Sequence, residues 1–475
     1  MASKEPVRVH HSRAPGQIGC SLLCLSVLSL LLSNVCLAQQ QTGWCQFQLL
    51  KVPLPNRKVE SKAGISEYWD IEAPDAQELK CAGMSVVRYT LEKGALLLPS
   101  ILNAPLVYYV LEGINNSSNN HAGKGLHGAA ITGCAQTYEA GTAKESKEQE
   151  EQHQKVRNIE HGDIVAKPAG IADWVYNYGN ETLILIAFIH VGSHADQLDI
   201  FARRFHLAGQ GRSLGGENPK GNVFSGLDVK TLARAYNVDP ELASKLQNRN
   251  DLVEEIVQTG EDFHVLTHAL MQKHKPHRRN LRYMDNYNGE VAETFCNFEL
   301  RHNIDDPDQS DVFNLRGGRV SIVTSFHLPI FGTFKLTAER AVIYDHSMMT
   351  PYFNLNSHSV FYVTYGSARV QVADEHGRNV FDGELKSDDV FVLPQNYVIV
   401  KETTGPSFEY IAVKTNDKAA RTPLAGRISV IRALPDYVVA LAFGLTIEEA
   451  RILKYSREEI TLFRPDNSTH LVNSS

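Results

Sequence analysis

Apolar and polar positions along this chain follow one pattern that occurs twice. The first copy runs Leu98-Pro99-Ser100-Ile101-Leu102-Asn103 and then Tyr108-Tyr109-Val110-Leu111-Glu112-Gly113. The second runs Thr350-Pro351-Tyr352-Phe353-Asn354-Leu355 and then Phe361-Tyr362-Val363-Thr364-Tyr365-Gly366. Each reads as a strand opened by proline, followed by a strand rich in β-branched and aromatic residues that glycine closes. A further matched pair follows, Gly162-Asp163-Ile164-Val165-Ala166-Lys167-Pro168-Ala169-Gly170 against Asp388-Asp389-Val390-Phe391-Val392-Leu393-Pro394-Gln395-Asn396. In both, a polar turn leads an apolar strand into a proline-containing turn.

Helical spacing takes over after each set of strands. Leu232, Ala235 and Tyr236 share a helical face, and Asp239-Pro240-Glu241 supplies an N-cap with proline at the first helical position, ahead of Leu242 and Leu246. In the second half, residues 437–443 form an apolar helix, and Thr446-Ile447-Glu448-Glu449 is a capping box opening another that holds Ile452 and Leu453. The predicted architecture is mainly β: two tandem jelly-roll barrels, each followed by a helix pair. Leu232, Tyr236, Val439 and Phe443 give the helix pairs an apolar face that a lone barrel does not need, which marks them as candidate subunit contacts.

Several segments are too polar to pack. Residues 115–128 and 144–155 read as solvated loops inserted in the first barrel. Residues 273–288 carry Lys273, Lys275, Arg278, Arg279 and Arg282 and end beside Asn288-Gly289. That dipeptide favours a turn, because glycine accepts positive φ and asparagine tolerates it, and it admits two readings: a hairpin, or an entry point for a protease. Cys296 follows shortly after, and pairing with a distant upstream cysteine would hold the halves of a cut chain together. No aromatic stacking platform accompanies the basic run, and a net charge of -7 over 475 residues is mild, so neither nucleic acid nor a membrane surface is a favoured partner.

The N-terminus reads as a secretory signal peptide. Lys4, Arg8 and Arg13 precede an apolar run at 21–32, and Cys36-Leu37-Ala38 offers small residues for cleavage before Gln39. The run is shorter than the ~20 apolar residues a spanning helix needs. Removing it takes Cys20, Cys24 and Cys36 and leaves Cys45, Cys81, Cys134 and Cys296, an even set in an oxidising compartment. Two disulfides are expected, with three connectivities open. Asn115, Asn116, Asn180, Asn467 and Asn473 each begin a glycosylation sequon.

Tandem barrels so punctuated resemble a cupin repeat, and cupin enzymes hold a metal with three histidines and a carboxylate. Aligned on the closing glycines, the ligand positions fall on Pro99, Ile101 and Leu106 in the first copy and on Tyr352, Asn354 and Ser359 in the second. The third histidine becomes Asp173 and Ile399, respectively, so neither copy keeps a metal set. His358 stands one residue out of register, on the opposite strand face, and reads as a core or interface histidine. Asp173 reads as a rim residue beside Trp174. Without a nucleophile elbow or phosphate loop, the expectation is a non-enzymatic protein with no metal and no cofactor.

Longer strings carry a specific resemblance. Asn354-Leu355-Asn356-Ser357-His358-Ser359, Gly366-Ser367-Ala368-Arg369-Val370-Gln371-Val372, Lys414-Thr415-Asn416-Asp417 and Pro423-Leu424-Ala425-Gly426-Arg427 resemble the legumin-type (11S) seed storage globulins. Arg57-Lys58-Val59-Glu60-Ser61-Lys62-Ala63-Gly64 and Asn237-Val238-Asp239-Pro240-Glu241-Leu242-Ala243 agree in the first half. The resemblance implies a bicupin nutrient reservoir carried through the secretory pathway to the protein storage vacuole, forming homotrimers and then hexamers. An asparagine-specific vacuolar protease would cut between Asn288 and Gly289. By the family's pattern Cys45 pairs with Cys81 and Cys134 with Cys296, across the cut. The implied division is a signal peptide at 1–38, a first barrel with its helix pair at 39–250, a linker at 251–288 and a second barrel with its helix pair at 289–475. The family's acidic and basic labels for the two chains fit loosely, since the sequence from Gly289 onward has no obvious basic excess. The run Asn288-Gly289-Glu290-Val291-Ala292-Glu293-Thr294 is also one residue longer than the family's Asn-Gly-x-Glu-Glu-Thr. The alternative readings are a bicupin that binds a small ligand or carbohydrate, and a metal-dependent cupin enzyme, against which the missing metal ligands count.

Overall fold

The computed structural model describes residues 45–111, 124–132, 134, 138–140, 151–153, 156–192, 202–209, 221–247, 254–260, 263, 296 and 299–464. The chain divides into two units, Met1–Phe47 and Gln48–Ser475, and the architecture below is that of the second.

The first barrel is built from two antiparallel sheets. One runs, in spatial order, Arg57–Ser61, Gly64–Trp69, Met84–Leu91, Leu183–His190, Leu106–Leu111, Asp163–Lys167 and Arg301–Asn303. The other runs Arg204–His206, Ala95–Leu102, Ala172–Tyr176, Gly125–Ala130 and Val156–Ile159, with Ile256–Gln258 also paired to Ala95–Leu102. The second barrel is a ten-stranded sheet whose longest members, Ser359–Ala373 and Val398–Lys414, pair along most of their length.

The two proline-opened strands share a device. In Ala95–Leu102 the register against Ala172–Tyr176 shifts between Asp173 and Val175, so that Leu98 and Pro99 stand opposite the single residue Trp174. In Met348–Asn354 the register against Val398–Lys414 shifts in the same way, with Thr350 and Pro351 opposite Val400. Proline has no N–H to give the ladder, so a bulge is where a paired strand tolerates it. Gly366 behaves differently from its reading as a strand end. It holds φ 76° and lies so close to the neighbouring strand that a Cβ would stand 1.8 Å from the Ser407 carbonyl oxygen. The strand bends there and continues to Ala373.

The two barrels share one apolar core. Val86, Leu106 and Phe188 of the first belong to the same buried cluster as Phe331, Phe334, Val360 and Val413 of the second. Trp69 meets Tyr362 edge to face at 6.3 Å between ring centroids. Two strands depart from the segment reading. Ile256–Gln258 lies inside the stretch read as linker yet extends the first barrel. Arg301–Asn303, from beyond Asn288, closes the edge of the first barrel by pairing Arg301 with Val165 and Asn303 with Asp163.

The helix pairs form where their caps dictate. Asp228 accepts the Thr231 N–H at 2.9 Å to start Val229–Tyr236, and Asp239 accepts the Leu242 N–H at 2.8 Å to start Pro240–Lys245. Gly444, at φ 66°, ends Asp436–Phe443. In the capping box of Ile447–Tyr455, Glu449 accepts the Thr446 N–H at 2.8 Å while Thr446 Oγ1 accepts the Glu449 N–H at 3.2 Å. Leu232 packs on Ala233 and Ala243, and Val439 on Ala440 and Ala450, as two small clusters apart from the barrel core. Those two residues are therefore consumed within their own helix pairs. Tyr236 and Phe443 remain 52% and 56% exposed, and Tyr437 and Leu441 are more exposed still. Among the described residues no helix is long and apolar enough to cross a membrane.

Candidate functional site

The interior of each barrel is the place to look for chemistry, and each is occupied by a lysine. In the first barrel Lys167 is buried on the strand Asp163–Lys167 and pairs with Asp173. Asp173 is thus an interior residue, not the rim residue its neighbour Trp174 suggested. It also accepts the Tyr108 hydroxyl at 2.8 Å, and His127 Nε2 stands 3.8 Å away. Burial raises its pKa, but Lys167 and His127 outweigh burial and hold the carboxyl well below the usual carboxylate range. Beside this group Tyr68 donates to Glu255 at 2.7 Å, and Arg204 lies over the Tyr89 ring, 5.8 Å from its centroid.

The second barrel repeats the theme with different residues. Glu339, on Thr337–Tyr344, is fully buried and accepts Lys414 Nζ at 2.6 Å and the Tyr410 hydroxyl at 3.0 Å, with Arg421 Nη1 at 3.4 Å. Lys401 donates to the hydroxyls of Tyr352 at 2.8 Å and Tyr410 at 3.2 Å, and its ammonium sits 4.6 Å from the Phe361 ring centroid. This aromatic surround partly replaces the hydration it has lost. Burial lowers the Lys401 pKa to about 7 although Glu339 opposes the shift.

These residues do not fit a metal. Tyr352, one ligand position of the cupin pattern, is engaged by the Lys401 ammonium, and Ile399 is an apolar core residue two positions from Lys401 on the same strand. Pro99 and Ile101 are only partly buried, Leu106 is a core residue, and Asn354 donates its amide to Ser359 Oγ at 2.9 Å. The interior carboxylates Asp173 and Glu339 are neutralised by Lys167 and Lys414, and a resident ammonium repels a divalent cation. His358 accepts the Gln395 N–H through Nδ1 at 3.1 Å, with Cys81 Sγ 3.7 Å from the same nitrogen, and burial lowers its pKa.

A third polar group joins the barrels. Asp305, two residues past the strand Arg301–Asn303, accepts Arg319 Nη2 at 2.8 Å, the Tyr109 hydroxyl at 3.2 Å and Arg340 Nε at 3.4 Å, and lies 3.0 Å from His161 Nε2. Arg340 in turn donates to Glu409.

Cys134 and Cys296 are joined by a disulfide, their Cα atoms 5.6 Å apart across a separation of 162 residues. Cys45 and Cys81 are each disulfide-bonded. Asn180 lies exposed in the turn before Leu183–His190. Asn115, Asn116, Asn467, Asn473 and the Asn288-Gly289 junction lie outside the described residues.

Glu339, Lys401, Lys414, Asp305 and Arg340 went unnoticed in the sequence, although a signal existed. A charged residue at an inward position of an apolar strand, as in Val398-Ile399-Val400-Lys401 or Ala338-Glu339-Arg340-Ala341, requires a buried partner.

A cupin family model matches residues 50–212 and 302–451. The chain is 37% identical over 489 residues to the 11S globulin subunit beta of Cucurbita maxima, covering 94% of this chain and 98% of that one. It is 36% identical over 502 residues to the 11S globulin seed storage protein 1 of Carya illinoinensis, covering 93% and 95%. The chain belongs to the 11S seed storage globulins. Among solved structures, recombinant pro-11S globulin of pumpkin superposes with a TM-score of 0.77 at 38% identity, covering 89% of this chain and 99% of that one. In this 11S globulin, each of the two barrels of the cupin fold holds a buried lysine–carboxylate ion pair in its interior.

The Lys401 environment makes stability depend on pH. Its native pKa of about 7 lies below the ordinary 10.5, so between those values the unfolded chain binds more protons and stability rises with pH. The penalty for burying the charged form is full below pH 7 and vanishes above 10.5. Lys401→Met removes this titration. The difference in unfolding free energy between wild type and variant is expected to change by about 1.4 kcal/mol per pH unit between pH 8 and 10, and urea unfolding across that window measures it. Parallel pH profiles would contradict the assignment.

Proposed function

We propose that the protein is a seed nutrient reservoir, non-enzymatic, whose role is the dense packing of amino acids in an oligomer that germination proteases later open. The observation that carries this reading is likeness to seed storage globulins along nearly the whole chain, 93% of it against the Carya illinoinensis protein. The filled barrel interiors support it, because they leave the ligand positions of a cupin enzyme without a free donor set.

On this reading the signal peptide is removed before Gln39, and the protein travels through the secretory pathway to the storage vacuole. An asparagine-specific protease cuts after Asn288. The Cys134–Cys296 disulfide then keeps the chains joined, and the pairing of Arg301–Asn303 with Asp163–Lys167 adds a non-covalent tie across the same cut. Cys45 and Cys81 pair within the first chain. The exposed Tyr236, Tyr437, Leu441 and Phe443 supply apolar surface for a homotrimer, and cut trimers pair into hexamers. Asn180, exposed in its turn, is a sequon open to glycosylation.

Quantitative immunoblotting through seed filling and germination tests the reservoir role, together with the metal content of the purified protein. The expected result is accumulation to an abundant level during filling, depletion after imbibition, and substoichiometric metal. A constant low level in vegetative tissue, or one equivalent of a transition metal per chain, would overturn it.

A further inference from the structure

Arg301–Asn303 closes the edge of the first barrel, and along a strand the side chains alternate between the two faces of the sheet. Arg301 and Asn303 both turn to Asp163, giving it Nη1 at 2.8 Å and Nδ2 at 3.1 Å. His302, between them, projects to the other face. There the ring of His327 stands 5.9 Å from its own, centroid to centroid, at an interplanar angle of 49°. His327 lies in the turn that leads into the helix Ile330–Phe334, and that turn is fixed in place. The His327 N–H donates to the Thr324 carbonyl at 3.0 Å, and Leu328 beside it is buried in the core that the barrels share.

Both rings can still take a ligand. His302 is half-buried and His327 exposed. Among the described residues no hydrogen bond or ion pair engages a ring nitrogen of His302. On His327 only Nδ1 is engaged: it accepts the Thr324 N–H at 3.3 Å, with Thr324 Oγ1 3.4 Å away. A metal at Nε2 places the ring proton on Nδ1, and Thr324 Oγ1 then accepts it, the kind of outer hydrogen bond that orients a metal-bound imidazole. A zinc-sized ion lies about 2.1 Å from an imidazole nitrogen and so about 3.2 Å from the ring centre, which lets two rings that share it stand up to about 6.4 Å apart. The observed 5.9 Å falls inside that limit. The exposed Glu299 adds negative charge that acts on His302 and favours a cation beside it.

We propose that His302 and His327 together bind one divalent transition-metal ion of the class that prefers imidazole, Cu(II) above Ni(II) and Zn(II), with water in the remaining positions. Calcium and magnesium take oxygen ligands, and a pair of imidazoles does not hold them. The ion ties the edge strand of the first barrel to the turn before Ile330–Phe334. Because water fills most of its coordination positions, the ion leaves to a chelator, and protein purified in one carries substoichiometric metal, as the storage reading expects. The site stands or falls independently of that reading.

Two measurements on the purified protein test it together: the anomalous difference map of copper-soaked crystals at the copper edge, and calorimetric titration of wild type, His302→Gln and His327→Gln with Cu(II), Zn(II) and Ca(II). The chain has 19 histidines, so the readout is the difference between wild type and variant. The expected map shows a peak between the two rings, about 2.1 Å from a nitrogen of each. Each variant is expected to lose one equivalent of Cu(II), or to bind it at least about tenfold more weakly, and Zn(II) to bind more weakly than Cu(II). No peak between the rings, Cu(II) uptake unchanged in both variants, or Ca(II) bound as tightly as Cu(II) would overturn the proposal. A peak without a calorimetric difference marks an adventitious ion only and overturns it too. Should a variant's melting curve shift, Cu(II) titration of wild type with and without equimolar Ca(II), read beside the map, decides in its place: uptake unchanged by Ca(II) supports the site, and uptake abolished by it does not.

Discussion

Replacing Glu339 by alanine lowers the stability of the second barrel by about 3–5 kcal/mol, the usual cost of removing one partner from a buried ion pair. The magnitude follows from what stays behind. Glu339 is the carboxylate that Lys414, Arg421 and Tyr410 all address, and Lys401 lies close enough to feel its charge. Without it, buried cations face one another across the barrel with no anion between them. Glu339→Gln keeps an acceptor for the Tyr410 hydroxyl and loses less, so the difference between the two variants isolates the charge. Burial raises the Glu339 pKa, but Lys414, Arg421 and Lys401 outweigh it and hold the group well below its ordinary 4.5. The stability it contributes is therefore complete above pH 4.5 and is lost as pH falls toward the depressed native value. Urea unfolding at pH 7 and at progressively lower pH measures both effects. A loss below about 1 kcal/mol at pH 7, the scale of an exposed pair, would contradict the account.

Asp305→Ala is expected to cost a similar amount, about 3–5 kcal/mol, and to act on the joint between the barrels. Asp305 gathers Tyr109 and His161 from the first barrel with Arg319 and Arg340 from the second. Burial raises its pKa, whereas His161, Arg340 and Arg319 pull it well below the usual carboxylate range, so it is ionised and central to the group. Because it follows the strand that crosses from beyond Asn288 to the first barrel, its loss loosens the seam that would join the two chains after the proposed cleavage. In protein cut at Asn288 and reduced, size-exclusion chromatography in rising urea should show the variant's chains separating at lower denaturant than wild type. Separation at the same concentration would place the joint in the shared apolar core alone.

Much of the fold was legible because its devices are local. Pro99 and Pro351 marked matched strands, and both bulge where proline cannot serve the ladder. Asp239-Pro240 and the Thr446 capping box started helices where they stand, since a cap satisfies N–H groups within its own turn. What was not legible depends on partners distant in the chain. Asp173 looked like a rim residue because Lys167 enters the same interior only after the strands pair, and no sequence interval marks that meeting. Gly366 looked like a strand end because a glycine that permits close approach to Ser407 and one that ends a strand read alike. Leu232 and Val439 looked available for subunit contact because helical spacing does not distinguish a face turned to a partner helix from one turned to a second chain.

The central claim is that the protein is cut after Asn288 and stays whole through the Cys134–Cys296 disulfide. Denaturing electrophoresis of protein purified from seed, with and without reductant, followed by N-terminal sequencing of the smaller band, tests it most directly. Denaturant is essential, because the edge strand Arg301–Asn303 and the Asp305 group hold the halves together without a covalent bond. The account predicts one band at the mature mass that reduction splits into two, the smaller beginning at Gly289. A single band that reduction leaves intact would contradict it.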